Sequence, residues 1–294
     1  MSWWKPLIMI PALIILMLVI QIVAASAVLI IEYVATGEEP GMAMSPWMTL
    51  ATNLSIALMA PIAVVLMRFL GKVPVREQFR IGRPTSWSRL GIYLVAFSLM
   101  IIVVNAVMIA LDPSSLSAIG LSGGIILLIV VVLLTTPLQA AAEEVMFRGA
   151  ILPAISSWIR PAKAAIVVGL IASSVVFGLM HGSVDPWLLS YYTIFGVSMA
   201  LMAVISRGLE APIAFHVANN ALLLLIGALG SDDGFIVIDR SVGMGGPFML
   251  IFVGLDLVAV GFVWLMERRL RKVERSADVV AAPERPTGVA QPTV

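Results

Sequence analysis

Long apolar stretches dominate this sequence and set what it can fold into. The first runs from Leu7 to Ile31 and has only Gln21 as a strong polar interruption, so it is long enough to cross a bilayer as a helix. Backbone groups in lipid must satisfy one another, which leaves helical bundles as the solution for such runs. The sequence therefore predicts an all-α, polytopic transmembrane bundle of about eight spans. The later spans are expected at 47–70, 90–111, from 125 into a charged motif near 143, and at 164–181, 187–205, 212–230 and 247–266.

Composition supports a membrane protein and removes several kinds of chemistry. Hydrophobic residues make up 61% of the 294 residues and charged residues 12%, against about 25% charged in ordinary soluble domains. The chain has no cysteine. This excludes disulfides, thiol catalysis and metal sites with cysteine ligands.

The basic residues predict the orientation of the bundle. They cluster in the loop after the second span and again at 267–272, and the positive-inside rule places both segments in the cytoplasm. Both termini are then cytoplasmic, as an even number of spans requires. The first apolar stretch is longer than a signal-peptide core, so we expect an uncleaved anchor. The loop cluster is expected to face lipid headgroups rather than nucleic acid, and consists of Lys72, Arg76, Arg80, Arg83 and Arg89.

Two domains of unequal order are predicted. Residues 1–272 form the transmembrane bundle, with a catalytic core at about 125–225. Residues 273–294 lack hydrophobic periodicity and are rich in alanine, proline, threonine and valine. We expect them to be a disordered cytoplasmic tail.

Two glutamates and an arginine close the fourth apolar run. Ionisable groups at membrane depth are costly, so they usually face the bundle interior, find partners and mark a site. On a helix, residues four apart share a face, so Glu144 and Arg148 can pair while Glu143 points elsewhere. Glu143 is then the carboxylate available for chemistry.

Both histidines of the chain also lie in apolar spans. His181 follows Phe177 by four residues, and Asn220 follows His216 by four, so each pair shares a helix face. A single membrane histidine is often a hydrogen-bonded packing residue. Two histidines together with paired glutamates and an arginine favour an active site.

These three motifs, in this order, resemble the CPBP (Abi) family of intramembrane proteases. That family includes the type II CAAX prenyl endopeptidases and the bacteriocin-immunity proteins. The resemblance covers about 125–225 and fills every motif position: Glu143, Glu144 and Arg148, then Phe177 and His181, then His216 and Asn220. It implies a membrane-embedded endopeptidase.

Peptide hydrolysis needs an activated water and stabilisation of an oxyanion. An apolar setting disfavours a charged carboxylate and makes it a better base, which suits Glu143 acting on a water shared with His181. His216 and the Asn220 amide would then donate to the oxyanion, and the family resemblance implies the same division of roles. We expect Glu144, Arg148 and Phe177 to support the site.

A zinc enzyme is the rival mechanism. Glu143, His181 and His216 would supply the usual three ligands of a catalytic zinc, and proteins of this family are commonly called metalloproteases. Because zinc ligation by both histidines would leave the oxyanion to Asn220 or the backbone, we favour a glutamate mechanism without a cofactor. An idle membrane scaffold or immunity protein and a transporter are the alternatives of other classes.

The expected partners are membrane lipids and a membrane-associated protein or peptide substrate, prenylated or not. We expect the plasma (inner) membrane of a prokaryote as the location.

One geometric difficulty is apparent from the spans. If successive straight spans alternate in direction, His181 lies near one membrane face and His216 near the other. A water shared by both residues requires equal depth. Breakers at Pro137, Gly149, Pro153, Gly182 and Pro186 allow broken or re-entrant segments there.

Overall fold

The computed structural model describes residues 1–39, 41, 43–111 and 120–281, with side chains through 272. Within these residues the fold is helical, and isolated bridges such as Met44 with Ile236 are its β-type pairings. The helices are α1 (Lys5–Thr36), α2 (Pro46–Ala57), α3 (Met59–Leu66), α4 (Trp87–Leu111), α5 (Gly123–Glu144), α6 (Leu152–Ser156), α7 (Ala162–Met180), α8 (Pro186–Ser206), α9 (Glu210–Leu229) and α10 (Met249–Ala281).

Eight stretches of the described chain are long and apolar enough to cross a membrane, which confirms the predicted all-α bundle. Two of them are composite. Helices α2 and α3 continue through a π-helical turn to Gly71, and α5 continues through a longer π-helical stretch into α6. The cytoplasmic position of the termini remains a prediction. The backbone of 273–281 continues α10, and the remainder of the predicted tail lies outside the described residues.

Local sequence signals explain where several spans begin. Ser45 accepts a hydrogen bond from Met48 N at 3.0 Å and caps α2, and Ser122 caps α5 in the same way. Asp185 accepts from Leu188 N at 3.0 Å at the start of α8, where Pro186 occupies the first turn. Such side chains satisfy the backbone N–H groups that the first helical turn leaves free.

Helix α5 lies at the centre of the bundle and α1 at its edge. Half of the most apolar window in the α5 span is buried inside the protein, against 6% of the window in α1. The helices around α5 present apolar side chains outward, as a lipid-facing surface requires. Helix α5 carries more buried polar residues than any other described helix, and it contacts α9, which carries the buried Glu210, His216 and Asn219.

Small residues let α7 and α8 approach closely. A methyl group added to Gly178 would lie 2.3 Å from Thr193 Oγ1, and one added to Gly196 would lie 3.1 Å from Ser174 Cα. Membrane helices commonly pack through small residues because backbone approach maximises van der Waals contact. This packing sets the position of His181 at the end of α7 and of the Gly196 carbonyl on α8.

Candidate functional site

The glutamates lie where α5 changes from α-helical to π-helical geometry. The helix continues past Pro137 to Glu144, and the next seven residues, 145–151, form the π-helical stretch, in which Leu152 N bonds to Phe147 O. Wide turns of this kind occur often at functional sites. The predicted breaker Gly149 falls in this stretch, so the irregularity expected there takes the form of a wider helix.

Glu144 and Arg148 form the ion pair that the sequence predicts. Arg148 Nη1 lies 2.9 Å from Glu144 Oε1, and both side chains are almost completely buried. Arg148 Nη2 also donates to Gly196 O at 2.8 Å. The pair therefore ties α5 and its π-helical extension to α8.

His216 connects the two glutamates, a contact that the sequence did not predict. Its Nδ1 lies 2.7 Å from Glu144 Oε1, and its Nε2 lies 3.5 Å from Glu143 Oε2. An ionised carboxylate only accepts hydrogen bonds, so Nδ1–H donates to Glu144 and Nε2 faces Glu143. A histidine held through one ring nitrogen has a fixed orientation for the other.

Gln139 is a site residue that sequence reasoning missed. Its Nε2 donates to Glu143 Oε1 at 2.8 Å, and its Oε1 accepts from Asn220 Nδ2 at 3.2 Å. Asn219 extends the network by donating to Asn220 Oδ1 at 3.1 Å. Gln139 precedes Glu143 by one helical turn, so the same four-residue spacing used for the other motifs could have found it.

Glu143 has one oxygen held and one without a hydrogen bond. Oε1 accepts from Gln139, whereas Oε2 is buried and has no hydrogen-bond partner within the described residues. Buried polar atoms are nearly always hydrogen-bonded, so an exception points to water, a ligand or a functional role. This oxygen is the one that faces His216.

His181 lies beside the Phe177 ring, which is also close to His216. Its Nδ1 bonds to Phe177 O at 2.9 Å, so Nδ1 is the donor and Nε2 keeps its lone pair. Its ring stacks on Tyr192 with centroids 4.1 Å apart, a contact not predicted from sequence. The Phe177 ring lies 4.7 Å from the His181 ring and 6.0 Å from the His216 ring.

The three motifs thus meet around Phe177, and the difficulty of unequal depth does not arise. Arg148 Cζ lies 4.7 Å from the centre of the Phe177 ring, so α5, α7 and α9 converge at one level. Glu143, Gln139, His216 and Asn220 form one connected group, whereas His181 joins it through the shared aromatic contact. His181 is half-buried and His216 is buried.

The donor groups do not assemble a three-ligand metal site in this arrangement. Within the described ranges, no cluster of three histidine, aspartate or glutamate side chains is close enough to hold an ion. Each histidine does have Nδ1 engaged and Nε2 available, as metal-bound histidines usually do. Glu143 and His216 could contribute two ligands, and His181 would have to move to supply the third.

Comparison with known proteins agrees with the motifs. Residues 123–222 match the family model of Rce1-like proteins, described as type II CAAX prenyl endopeptidase Rce1-like, and this match confirms the resemblance predicted from the motifs. The uncharacterized protein YyaK of Bacillus subtilis (strain 168) is 24% identical over 224 residues, which cover 71% of this chain and 73% of that protein. No solved structure matches the chain.

The matched region contains every residue of the three motifs. At the level of the family, the chain is similar to the CAAX-type intramembrane proteases. Together with the eight apolar spans, this similarity identifies the chain as an integral membrane protein.

Glu144 and Arg148 should be energetically coupled. Removing one partner of a buried pair leaves an uncompensated charge, which costs about 3–5 kcal/mol. We expect Glu144→Gln and Arg148→Met each to lower the melting temperature in detergent, and the double variant to recover part of the loss. Arg83→Gln, which breaks a separate ion pair with Glu210, is the control, and its loss should add to that of Glu144→Gln. Additive losses for Glu144 and Arg148 would show that they act independently.

Proposed function

We propose that this protein is an intramembrane endopeptidase in which Glu143 activates the water that attacks a peptide bond. The observation that carries the proposal is the Glu143 carboxylate itself. Its Oε2 is buried, lacks a hydrogen-bond partner within the described residues and lies 3.5 Å from His216 Nε2. A general base must be within hydrogen-bond reach of the proton that it removes, and this oxygen is free to accept one.

Gln139 orients the base in this proposal. Its amide holds Glu143 Oε1 at 2.8 Å, so the carboxylate cannot turn freely and Oε2 keeps its direction toward His216. The same amide accepts from Asn220, which fixes the position of the second polar group of α9. Catalytic groups are effective when neighbouring hydrogen bonds hold them in place before the substrate arrives.

His216 stabilises the oxyanion in this proposal. With Nδ1–H on Glu144, a second proton on Nε2 gives a cation that faces the reacting centre. The charges of Glu143, Glu144, Arg148 and His216 then sum to zero, which lowers the cost of burying them. Glu144 therefore acts through His216 as a positioning residue, in addition to its pair with Arg148.

Asn220 and His181 complete the proposed reaction. The Asn220 amide has a second N–H beyond the one given to Gln139 and donates it to the oxyanion. His181 keeps the lone pair of Nε2, which accepts a hydrogen bond from the attacking water and shares that water with Glu143. After the attack, the proton on Glu143 passes to the amine of the leaving peptide.

The substrate is proposed to be a membrane-associated protein or peptide, with or without a prenyl group, and membrane lipids surround the enzyme. The matched family model names prenyl endopeptidases, which supports a substrate carried at the membrane. We propose the plasma membrane of a prokaryote as the location. We propose a reaction without a cofactor, and activity after chelation distinguishes it from the zinc-dependent alternative.

Loss of the reacting groups should abolish proteolysis without unfolding the protein. We expect Glu143→Gln, His181→Ala and His216→Ala each to lower the rate by about two to four orders of magnitude, the size of a lost base or oxyanion donor. Quantitative proteomics of membranes carrying each variant measures the loss of cleavage products. Glu77→Gln changes an exposed glutamate outside the three motifs and is the control. Products that persist with Glu143→Gln would favour an idle scaffold or immunity protein and contradict the proposal.

Metal dependence separates the two protease mechanisms. If Glu143 activates water directly, enzyme treated with a strong chelator should keep its activity and contain well under one transition metal per chain. A zinc enzyme should lose activity on chelation and regain it with one equivalent of Zn²⁺, because three protein ligands leave the fourth position for water. That recovery, with matching metal content in the untreated protein, would overturn the glutamate mechanism. Inhibition by excess zinc would not, since added metal can bind a glutamate and histidine pair.

A further inference from the structure

The segment between α9 and α10 is seated on the end of α7, next to His181. Ser183 Oγ donates to Arg240 O at 2.9 Å, and Gly243 N donates to Asp185 at 2.9 Å. A methyl group on Gly245 would lie only 2.6 Å from Trp187 Cβ, so this part of the segment packs closely on the start of α8. These contacts fix the backbone at Arg240 and in the residues that follow it.

Arg240 lies next to His181. Its Nη1 donates to His181 O at 2.8 Å, and its Cζ lies 5.9 Å from the centre of the Tyr192 ring. Tyr192 is the ring on which His181 stacks. The guanidinium therefore contacts the backbone of a proposed catalytic residue and lies near the ring on which that residue stacks. Arg240 is exposed.

The positive charge of Arg240 has no carboxylate partner in the part of the chain that the structure describes. Two acidic residues of this region bond to backbone groups: Asp185 accepts from Trp187, Leu188 and Gly243, and Asp239 accepts from Ser241. Backbone hydrogen bonds lower the pKa of Asp185 and of Asp239. Both carboxylates therefore remain ionised and accept hydrogen bonds from the backbone, and neither forms an ion pair with the Arg240 guanidinium.

We propose that Arg240 binds a carboxylate of the peptide substrate beside the scissile bond. Arginine presents five N–H donors in a planar fork that matches a carboxylate, and one of them is used in a hydrogen bond to the residues that the structure describes. The carboxylate is either the C-terminus of the substrate or an acidic side chain. This inference rests on the proposed protease function and adds the class of substrate, a peptide with a negative charge close to the cleavage site.

Capping of α7 is the competing role for Arg240, because a basic side chain often bonds to the last carbonyls of a helix. The variant Arg240→Gln separates the two roles. Glutamine keeps an N–H donor for His181 O but removes the charge. Arg240→Lys keeps the charge without the fork, and Arg160→Gln changes an exposed arginine in the turn before the other end of α7.

The test measures binding and cleavage of one fluorescent apolar peptide in three forms. The forms carry a free C-terminal carboxylate, a C-terminal amide, or a C-terminal amide with one internal glutamate. Binding is measured by anisotropy in the Glu143→Gln background, where the peptide is not consumed, and cleavage is measured in the otherwise unchanged enzyme.

We expect at least one carboxylate-bearing form to bind about tenfold more tightly than the neutral amide, as a lost charged hydrogen bond would predict. Arg240→Gln should remove this preference with an unchanged melting temperature. Arg240→Lys should keep part of it, and Arg160→Gln should keep all of it. Whichever of the two charged forms binds more tightly identifies the source of the carboxylate.

An equal preference in Arg240→Gln and its parent would overturn the inference, and so would equal binding of all three peptides. Cleavage without any carboxylate preference would remove the Arg240 site while the proposed protease function stands. Charge-dependent binding without cleavage of any form would support the Arg240 site and contradict the proposed protease function.

Discussion

The Glu144 carboxylate is the interaction on which the site depends. One of its oxygens accepts hydrogen bonds from Arg148 and from His216, so α5, its π-helical extension and α9 are held at a single point. Arg148 extends the same connection to the Gly196 carbonyl of α8. A charge buried in a membrane bundle is costly unless it is paired and hydrogen-bonded. Glu144 Oε1 meets both conditions, whereas Glu144 Oε2 has no hydrogen-bond partner within the described residues. The orientation of His216, and hence its approach to Glu143, follows from the bond to Oε1.

The helix framework of the site was predictable because it depends on local spacing and hydropathy. The eight spans follow from apolar runs, and the pairing of Glu144 with Arg148 follows from the four-residue spacing on one helix. The contact between Glu144 and His216 joins residues 72 positions apart in sequence. Nothing in hydropathy specifies which faces of α5 and α9 meet, so this contact required the packed structure.

The predicted conflict in depth shows where the sequence argument was incomplete. The conflict arises when each span is taken as a separate straight helix. In the structure, α5, the π-helical stretch and α6 form one continuous span of 34 residues from Gly123 to Ser156. Gln139 was overlooked for a different reason. A glutamine in an apolar run has no charge to attract attention, although its position one turn before Glu143 gives it two of the hydrogen bonds that organise the site.

The proposed reaction also explains the polar groups that face each other on α5 and α9. Glu143 needs a fixed direction and a free oxygen. Gln139 fixes the carboxylate through Oε1. Oε2 faces His216 and has no hydrogen-bond partner within the described residues. Aromatic rings from α7 and α8, including Phe177 and Phe195, pack against His216. Packed rings exclude bulk water and strengthen the electrostatic interactions within the site.

The most direct measurement of the central claim follows the oxygen atom of the attacking water. Membranes containing the enzyme are incubated in water labelled with heavy oxygen, and the new C-termini of the cleaved peptides are examined by mass spectrometry. Hydrolysis by a water activated at Glu143 predicts one labelled oxygen in each new carboxylate, formed by the wild type and absent with Glu143→Gln. Labelled termini formed at the same rate by both proteins would contradict the role of Glu143.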